Sequence, residues 1–277
     1  MQGIKNWIKR NFAVLLYGSK TKPGKKQALQ DRLGQLGSPV TKLADASFDI
    51  FTYHGEDGII AYLLQQLKDV PPVFVDAGAG NCIVGNCSTL AIHFGWKGIF
   101  IDKDAKQIAA GKRFYSKMAR TADGINFISE EITPENINKL IVQTGIKGEV
   151  GLLSVDIDGN DYWIWKAIHI IQPRIVIIEA KVEFGLHDVI VPYGQHNYRS
   201  SDIQYNGASV EALRKLGNEK GYKLVGANKQ GYNLFFVKNN EPVPAVSPAD
   251  VLSDPETKRS FYPPSFFNAH KFVTELG

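Results

Sequence analysis

Acidic residues follow the short apolar runs of this sequence at regular intervals. Asp76, Asp102 and Asp156 each end such a run. Three further acids stand at the ends of two other runs: Glu130, Glu131 and Glu179. Apolar runs that alternate with helical segments form parallel strands, and the carboxyl ends of those strands share one edge of the sheet. We therefore expect these carboxylates to line one ligand-binding edge, where they can accept hydroxyl hydrogen bonds, bind cations or act as bases.

A glycine-rich turn follows the first of these acids. Gly78 and Gly80 stand two residues apart, so backbone N–H groups can approach a ligand closely, and the turn predicts a site for a nucleoside-containing cofactor. The dinucleotide pattern G-x-G-x-x-G fails because Ile83 occupies the third glycine position. The P-loop pattern fails because Asn86-Cys87 follows Gly85 in place of Lys-Ser or Lys-Thr.

The elements that position these residues alternate between strand and helix. Strands are predicted at 73–76, 98–102, 125–129, 150–156, 174–179, 222–226 and 232–238, and helices at 86–94, 104–120, 134–144, 162–171 and 208–217. The last two strands are only five residues apart and form an antiparallel hairpin. The sequence thus predicts an α/β fold: a seven-stranded, mostly parallel sheet with an antiparallel C-terminal hairpin and helices on both faces.

Three regions are expected along the chain. Residues 1–50 are a basic N-terminal helix followed by a linker, in which 19–41 look loose; residues 51–240 are the α/β domain; residues 241–277 are a Pro- and aromatic-rich extension packed on that domain. Residues 4–17 have helical apolar spacing with three cations. This segment is either a helix packed on its own domain or an amphipathic helix in peripheral contact with an anionic membrane.

Composition excludes several classes of protein. The 277 residues are 44% apolar, and the net charge of +4 is too small to indicate nucleic acid as a partner. Residues 1–30 hold seven Lys/Arg and no acid, so the basic character belongs to the N-terminus. No apolar run approaches the roughly 20 residues of a membrane span. The two cysteines form no disulfide framework and fit a reducing compartment, so we expect a cytoplasmic protein. An oligomer is compatible with the sequence.

Three motifs in order resemble a known family. Asp76-Ala-Gly-Ala-Gly80, then Phe100-Ile-Asp102, then Asp156-Ile-Asp-Gly-Asn-Asp161 are similar to the motifs of class I S-adenosylmethionine-dependent methyltransferases, most of all the FkbM-type branch. The resemblance covers residues 57–238 and implies a Rossmann-like sheet. It departs from the family at Cys82, which replaces a third glycine, and at Asp158, which replaces a longer glutamate.

The resemblance assigns the cofactor S-adenosylmethionine to specific positions. Asp76, Gly78 and Gly80, with Asn81 beside them, would shape the methionine and ribose pocket. Asp102 would bind the ribose hydroxyls, which suits a carboxylate at the end of the second strand. Asp156 would lie near the cofactor as well. Either Glu130 or Glu131 would lie near the adenine.

Glu56 and Asp57 stand at the start of the helix that precedes the first predicted strand. Acids in a first helical turn suit the positive end of the helix dipole, so one interpretation is that both are capping residues. The other is that they reach the amino group of the bound cofactor.

Methyl transfer to a hydroxyl needs a base or a metal ion near the acceptor. Candidate catalytic residues are Asp156, Asp158, Glu179 and His187, and the first three can also share a divalent cation through oxygen ligands. The long loop from 181 to 206 is expected to face the acceptor. Its substrate-binding candidates are Tyr193, His196 and Tyr205.

The predicted function is O-methylation of a hydroxyl on a glycan or a secondary metabolite, and a lipid-linked glycan if the N-terminal helix touches membrane. Two other classes stay open: a Rossmann-like oxidoreductase with a nicotinamide cofactor, and a non-catalytic binding module. The missing third glycine argues against the first of these. The row of acids at the strand ends argues against the second.

Overall fold

The strand order places five parallel strands beside an antiparallel hairpin. The computed structural model describes residues 23–36, 40–118, 124–195 and 205–274. Its sheet has seven strands in the order β3-β2-β1-β4-β5-β7-β6, where β7 pairs antiparallel with both β5 and β6 and all other pairings are parallel. The predicted seven-stranded α/β fold with an antiparallel C-terminal hairpin is confirmed.

The predicted strands lie close to the observed ones. The strands are β1 Val73–Ala77, β2 Lys97–Asp102, β3 Ile125–Ser129, β4 Gly148–Val155, β5 Ile171–Glu179, β6 Tyr222–Ala227 and β7 Asn233–Lys238. The described helices are α1 Pro23–Leu36, α2 Glu56–Gln66, α3 Ser88–Phe94, α4 Ala105–Tyr115, α5 Ile137–Val142, α6 Asp161–Ala167, α7 Val210–Glu219, α8 Pro248–Val251, α9 Pro255–Arg259 and α10 Pro264–Ala269, with 3-10 turns at Leu43–Ala46 and Val182–Phe184.

Two apolar layers cover the faces of the sheet. One layer includes Phe74, Phe100 and Ile177, and packs against α1, α2 and α3. The other includes Val75, Leu153 and Ile178, and packs against α5, α6 and α7. Because neighbouring strand residues point to opposite faces, Phe74 and Val75 enter different layers. The central strands are therefore buried on both sides, and their carboxyl ends are held rigidly at one edge.

Helix α1 replaces most of the loose linker expected at 19–41. Its Leu29 and Leu33 stand one helical turn apart and are buried against the first apolar layer. The lysine, glycine and glutamine residues around these two leucines obscure their helical spacing in the sequence. The helix is therefore stabilised mainly by its packing against the domain. The predicted helix at residues 4–17, and with it the proposed membrane contact, lies outside the described residues. No described helix is long and apolar enough to cross a bilayer.

The C-terminal extension contacts the domain through an aromatic cluster. Phe184, Val191 and Phe266 form its buried centre, and Tyr205, Tyr262, Phe267 and Phe272 pack around them. The backbone N–H of Tyr262 donates to the carbonyl of Glu183 at 2.8 Å, and Val273 forms an antiparallel bridge with Ile190. The aromatic residues after 260 thus cover the segment that follows β5.

Candidate functional site

The turn after β1 is built around a close approach that only glycine permits. Gly78 has φ +92°, and a β-carbon on it would stand 1.8 Å from the backbone oxygen of Asp156. Its N–H donates to the carbonyl of Ile101, and the N–H of Asp156 donates to that of Ala77, both at 2.9 Å. These bonds join the ends of β1, β2 and β4 into one rim.

Gly80 faces open space on the same turn. Its φ is +52°, and the atom nearest to an added β-carbon would be Oε1 of Gln107 at 4.0 Å. Asn81 follows it and stabilises the next turn, because its side-chain oxygen accepts hydrogen bonds from the N–H groups of Ile83 and Val84 at 2.9 and 3.0 Å. Gly80 is therefore exposed to a ligand, whereas the Asn81 oxygen is already engaged.

Asp102 binds the turn from the end of β2. One carboxylate oxygen accepts the N–H of Gly80, and the other accepts the N–H of Asp104, both at 2.8 Å. Asp104 in turn caps α4 through the N–H groups of Lys106 and Gln107. Each Asp102 oxygen keeps lone pairs for further hydrogen bonds, so this carboxylate can accept from a diol.

Two adjoining cavities open on the two sides of the turn. The first, of about 230 Å³, lies between the turn and α2, and we call it the Glu56 cavity. The second, of about 310 Å³, lies between the turn and the end of β3, and we call it the Asp102 cavity. Gly78, Gly80, Gln107 and Asp156 line both. Together they form one groove of the size that small-molecule ligands occupy.

The structure distinguishes between the two glutamates after β3. Glu131 lines the Asp102 cavity with Ile132, and Glu130 is not among the residues that line it. The N–H of Glu130 donates to the Asp102 carbonyl at 3.0 Å, which continues the β2–β3 pairing by one residue. Of the pair, Glu131 is the residue placed to contact a ligand.

Asp76 is a buried carboxyl at the floor of the Glu56 cavity. The backbone N–H and thiol of Cys87 and the hydroxyl of Ser154 donate to it. Burial raises its pKa to about 7, and the Asp102 charge adds to that rise. Asp76 is therefore partly protonated near neutral pH, and a cation nearby would favour its ionised form.

Glu56 ties α2 to the hairpin. One of its carboxylate oxygens accepts from the side-chain amides of Asn228 and Asn233, at 2.8 and 2.9 Å, and the other accepts the N–H of His54 at 3.1 Å. It lines the cavity that carries its name and is 2% exposed. Both oxygens are engaged, so Glu56 closes this end of the cavity by linking three segments.

Asp57 lies beside Glu56 but outside both cavities. One of its oxygens accepts the N–H groups of Ile50, Phe51 and Thr52 at 2.7, 2.7 and 2.9 Å, and the other accepts the hydroxyl of Thr89. Burial raises its pKa, and these hydrogen bonds oppose the rise. A role in contacting the cofactor is not supported by this geometry. Asp57 instead holds the 50–52 loop in place.

Three acids meet at the carboxyl ends of β4 and β5. Oxygens of Asp156, Asp161 and Glu179 lie within 4.8 Å of one another. Asp161, rather than the predicted Asp158, completes this group. Asp158 points into the Asp102 cavity from a left-handed backbone with φ +62°. Asp161 uses its two oxygens to accept the N–H groups of Ile157 and Gly159 at 2.8 Å, which limits what it can offer a cation.

Crowding and burial shift the titration of this group. Burial raises the pKa of Asp161 to about 6. Burial and the neighbouring carboxylates raise the pKa of Glu179 well above its usual range. The protonated form of Glu179 is thus favoured relative to a solvent-exposed glutamate, because a proton there relieves the repulsion among three adjacent carboxylates.

Of the acceptor-facing residues expected in the long loop, Tyr193 lies near the Asp102 cavity, because the N–H of the adjacent Gly194 donates at 3.4 Å to Asn160, which lines that cavity. His187 stacks on Phe267 with ring centroids 3.9 Å apart. Tyr205 stacks on His270 and donates to the carbonyl of Lys271. Tyr193 is 42% exposed and contacts Trp163 edge-on. None of His187, Tyr193 and Tyr205 lines the Glu56 or the Asp102 cavity, and His196 lies outside the described residues.

Sequence reasoning missed the residues that close the Glu56 cavity opposite the turn. Tyr53 and His54 line it from the loop before α2, and Asn233 lines it from the start of β7. Asn228, in the hairpin turn, donates to Glu56 and accepts the N–H of Asn233, so it links these two residues. The signal that could have found them is the pair Tyr53-His54, which Gly55 alone separates from the two acids of α2.

No family model matches this sequence, and no curated protein matches it. Among solved structures, the chain is similar to magnesium protoporphyrin IX methyltransferase (ChlM) from Synechocystis PCC 6803 with bound SAM, at 13% identity and TM-score 0.43, over 79% of this chain and 93% of that one. PKMT2 from Rickettsia typhi in complex with AdoHcy has 10% identity and TM-score 0.45, over 75% and 58%. All these TM-scores are below 0.5, so the fold is defined by the strand order of this chain itself.

Proposed function

We propose that this protein is an S-adenosylmethionine-dependent methyltransferase that methylates a hydroxyl group. The observation that carries the proposal is the rim formed by Gly78, Asp102 and Asp156 at three neighbouring strand ends. A nucleoside cofactor needs a turn without side chains, a hydrogen-bond acceptor for its ribose diol and a polar residue near the atom that reacts. Gly80, Asp102 and Asp156 offer these three in one groove.

The Asp102 cavity suits the nucleoside half of the cofactor. Asp102 stands at its wall with lone pairs for the ribose hydroxyls, and Glu131 with Ile132 forms the far side, where the adenine would lie. The amino-acid half of the cofactor would lie across Gly78 and Gly80, at the edge of the Glu56 cavity. Bound there, the cofactor supplies a methyl group on a sulfonium, which leaves the protein mainly the task of positioning the acceptor.

The sheet favours this cofactor over a nicotinamide. In the dinucleotide-binding sheet all six strands run parallel in the order 3-2-1-4-5-6. Here β7 is inserted antiparallel between β5 and β6. Cys82 has a left-handed backbone, and Ile83 directly after it stands where a dinucleotide-binding turn has its third glycine.

Asp156 is the base that we assign to the acceptor hydroxyl. It lines both cavities, and Glu179 and Asp161 lie directly behind it. As the methyl group is transferred, Asp156 would accept the proton of the attacking hydroxyl. We leave the divalent cation considered for this cluster out of the proposed step, because both oxygens of Asp161 already accept hydrogen bonds from backbone N–H groups. A glycan or a secondary metabolite remains our proposal for the acceptor.

Calorimetric titration with S-adenosylhomocysteine tests the cofactor. We expect binding to the full chain, and no binding of NAD⁺ or NADP⁺ under the same conditions. Asp102→Ala should weaken the binding by roughly tenfold to a hundredfold, because it removes charged hydrogen bonds to the ribose. Asp31→Ala, at an exposed position of α1, is the matched control and should bind as the wild type does. Failure of S-adenosylhomocysteine to bind would contradict the proposal.

A second variant separates loss of binding from loss of folding. Gly80→Asn introduces asparagine, which tolerates a left-handed backbone, and the asparagine side chain would extend into the open groove. We expect it to unfold near the wild-type temperature and to lose most S-adenosylhomocysteine affinity. Unchanged affinity in this variant would show that the ligand does not cross the turn.

A further inference from the structure

The mouth of the Glu56 cavity carries exposed aromatic rings. Tyr53 is 46% exposed and Tyr232 39% exposed, although both sit beside the cavity. His54 stands between the cavity and Tyr232, and the two rings meet edge to face at 85° with centroids 5.9 Å apart. Tyr53 and His54 line the cavity from the loop before α2, and Tyr232 contacts the His54 ring from the hairpin turn.

The segment that carries Tyr53 and His54 is fixed from below. The Asp57 carboxylate accepts three successive N–H groups, those of Ile50, Phe51 and Thr52, and Asp49 accepts the N–H of Gly55 at 2.6 Å. The loop is thus held at both ends, immediately before and after the two rings. Rings held in place by the backbone lose little conformational freedom when a ligand packs on them.

The hairpin side of the mouth is fixed to the same segment. Asn228 donates to Glu56, and its own side-chain oxygen accepts the N–H of Gly231 at 2.9 Å, one residue before Tyr232. Glu56 in turn accepts the N–H of His54. The positions of His54 and Tyr232 are therefore coupled through two buried polar side chains.

The interior below these rings is polar. Thr52, Glu56, Asn86, Ser154 and Asn233 line it, and Asp156 lies at the junction with the second cavity. Several of these groups already bond one another, but the side-chain oxygens of Asn86 and Asn233 accept no hydrogen bond from the described residues, so a planar apolar acceptor would leave these two oxygens without a donor. A ring with hydroxyls on its edges and C–H groups on its faces would satisfy both the polar interior and the aromatic mouth.

We propose that Tyr53, His54 and Tyr232 form the acceptor subsite and that it takes a polyhydroxylated ring of the kind found in a sugar. This inference rests on the proposed function, because it assumes that the cofactor occupies the turn and the Asp102 cavity. It moves the acceptor away from Tyr193 and Tyr205 to residues on the loop before α2 and on the hairpin. Asp57 acts as a positioning residue for that loop.

Saturation-transfer NMR with methyl α-D-glucopyranoside and methyl α-D-galactopyranoside, on the full chain saturated with S-adenosylhomocysteine, tests the subsite. Catechol is the planar aromatic comparison. We expect transfer to at least one glycoside. Tyr53→Ala and Tyr232→Ala should each weaken that binding about two- to tenfold, and Tyr53→Phe, which keeps the ring, should restore it.

The outcomes separate this inference from the proposed function. S-adenosylhomocysteine affinity within twofold of wild type in all three variants, with glycoside binding lost in the two alanine variants, supports the subsite. Glycoside binding that is unchanged by these variants, or lost with Tyr193→Ala instead, overturns it. Transfer to catechol alone overturns the choice of acceptor class. Loss of S-adenosylhomocysteine binding in Tyr53→Ala overturns the subsite by assigning Tyr53 to the cofactor, and absence of that binding in the wild type contradicts the proposed function itself.

Discussion

Gly111 on α4 lies directly against Cys82 of the turn: a β-carbon on Gly111 would stand 2.7 Å from the β-carbon and 2.8 Å from the sulfur of Cys82. Cys82 has φ +60° and occupies the place of the third glycine in the family that the turn resembles. In this protein the turn carries the side chain of Cys82, and the glycine that makes room for it stands on the helix, at Gly111. The close approach of helix and turn is thus retained with the small residue moved to the partner element.

Gly111→Ala should therefore destabilise the protein. The added methyl group meets the Cys82 side chain and the Asn81 carbonyl in a fully packed contact, so we expect a loss of about 1–3 kcal/mol in the free energy of unfolding by urea. Cys82→Gly in the same chain should recover part of that loss, with a coupling of about 0.5–3 kcal/mol. Gly34→Ala, at a helical glycine with open space around it, is the control. If the effects of the two substitutions on the free energy of unfolding simply add, the interpretation that Gly111 makes room for Cys82 is refuted.

The strand pattern of the sequence carries enough information to place the rim, because each of the strands β1 to β5 ends in or beside an acid. Asp76, Asp102 and Asp156 meet where parallel pairing puts them. The identity of the third acid beside Glu179 could not be predicted. Asp158 and Asp161 both follow β4. Asp158 has a left-handed backbone, and the carboxylate of Asp161, not that of Asp158, lies beside Asp156 and Glu179.

The mouth of the Glu56 cavity could not be predicted for a different reason. Tyr53 and Asn233 are 180 residues apart in the chain and meet only because Glu56 bonds the hairpin. Such contacts have no local signature in sequence. The helix α1 was missed because, among its described side chains, Leu29 and Leu33 are the buried ones, and charged and small residues surround them in the sequence.

Asp57→Asn should loosen the loop that carries Tyr53. An amide at this position keeps one acceptor oxygen, and its NH₂ group would face N–H or hydroxyl donors. We expect a loss of about 1–3 kcal/mol in unfolding free energy and faster hydrogen exchange at residues 50–52. Heteronuclear NMR measures both effects on one sample. Exchange that accelerates uniformly over the domain would contradict a local positioning role.

S-adenosylmethionine should gain affinity relative to S-adenosylhomocysteine as pH rises from 6 to 7.5. Burial raises the pKa of Asp76 to about 7 and that of Asp161 to about 6, so negative charge develops at the groove over this range. Only the first ligand carries a sulfonium cation, and a shift of one pKa unit corresponds to a tenfold change in affinity. We expect the ratio of the two dissociation constants to change about three- to tenfold by calorimetry. A constant ratio would show that the sulfonium lies away from these carboxyls.

Asp76→Asn should flatten the dependence of stability on pH. The pKa of Asp76 is about 7 in the folded protein against 3.8 for the unconstrained carboxyl, so between these values the folded state binds more protons than the unfolded state. Stability from this group is therefore complete below about pH 4 and is lost as pH rises through 7, with a slope of up to about 1.4 kcal/mol per pH unit. The variant cannot titrate and should lose this slope.

Urea unfolding of wild type and Asp76→Asn at pH 5, 6, 7 and 8 measures that difference. We expect the stability of the wild type relative to that of the variant to fall as pH rises from 5 to 7, because the wild type alone becomes less stable as the buried carboxyl ionises. Asp31→Asn, at an exposed carboxyl, should follow the wild-type curve. Parallel curves for wild type and Asp76→Asn would mean that Asp76 keeps its ordinary pKa, and that its hydrogen bonds from Cys87 and Ser154 fully offset its burial beneath the turn.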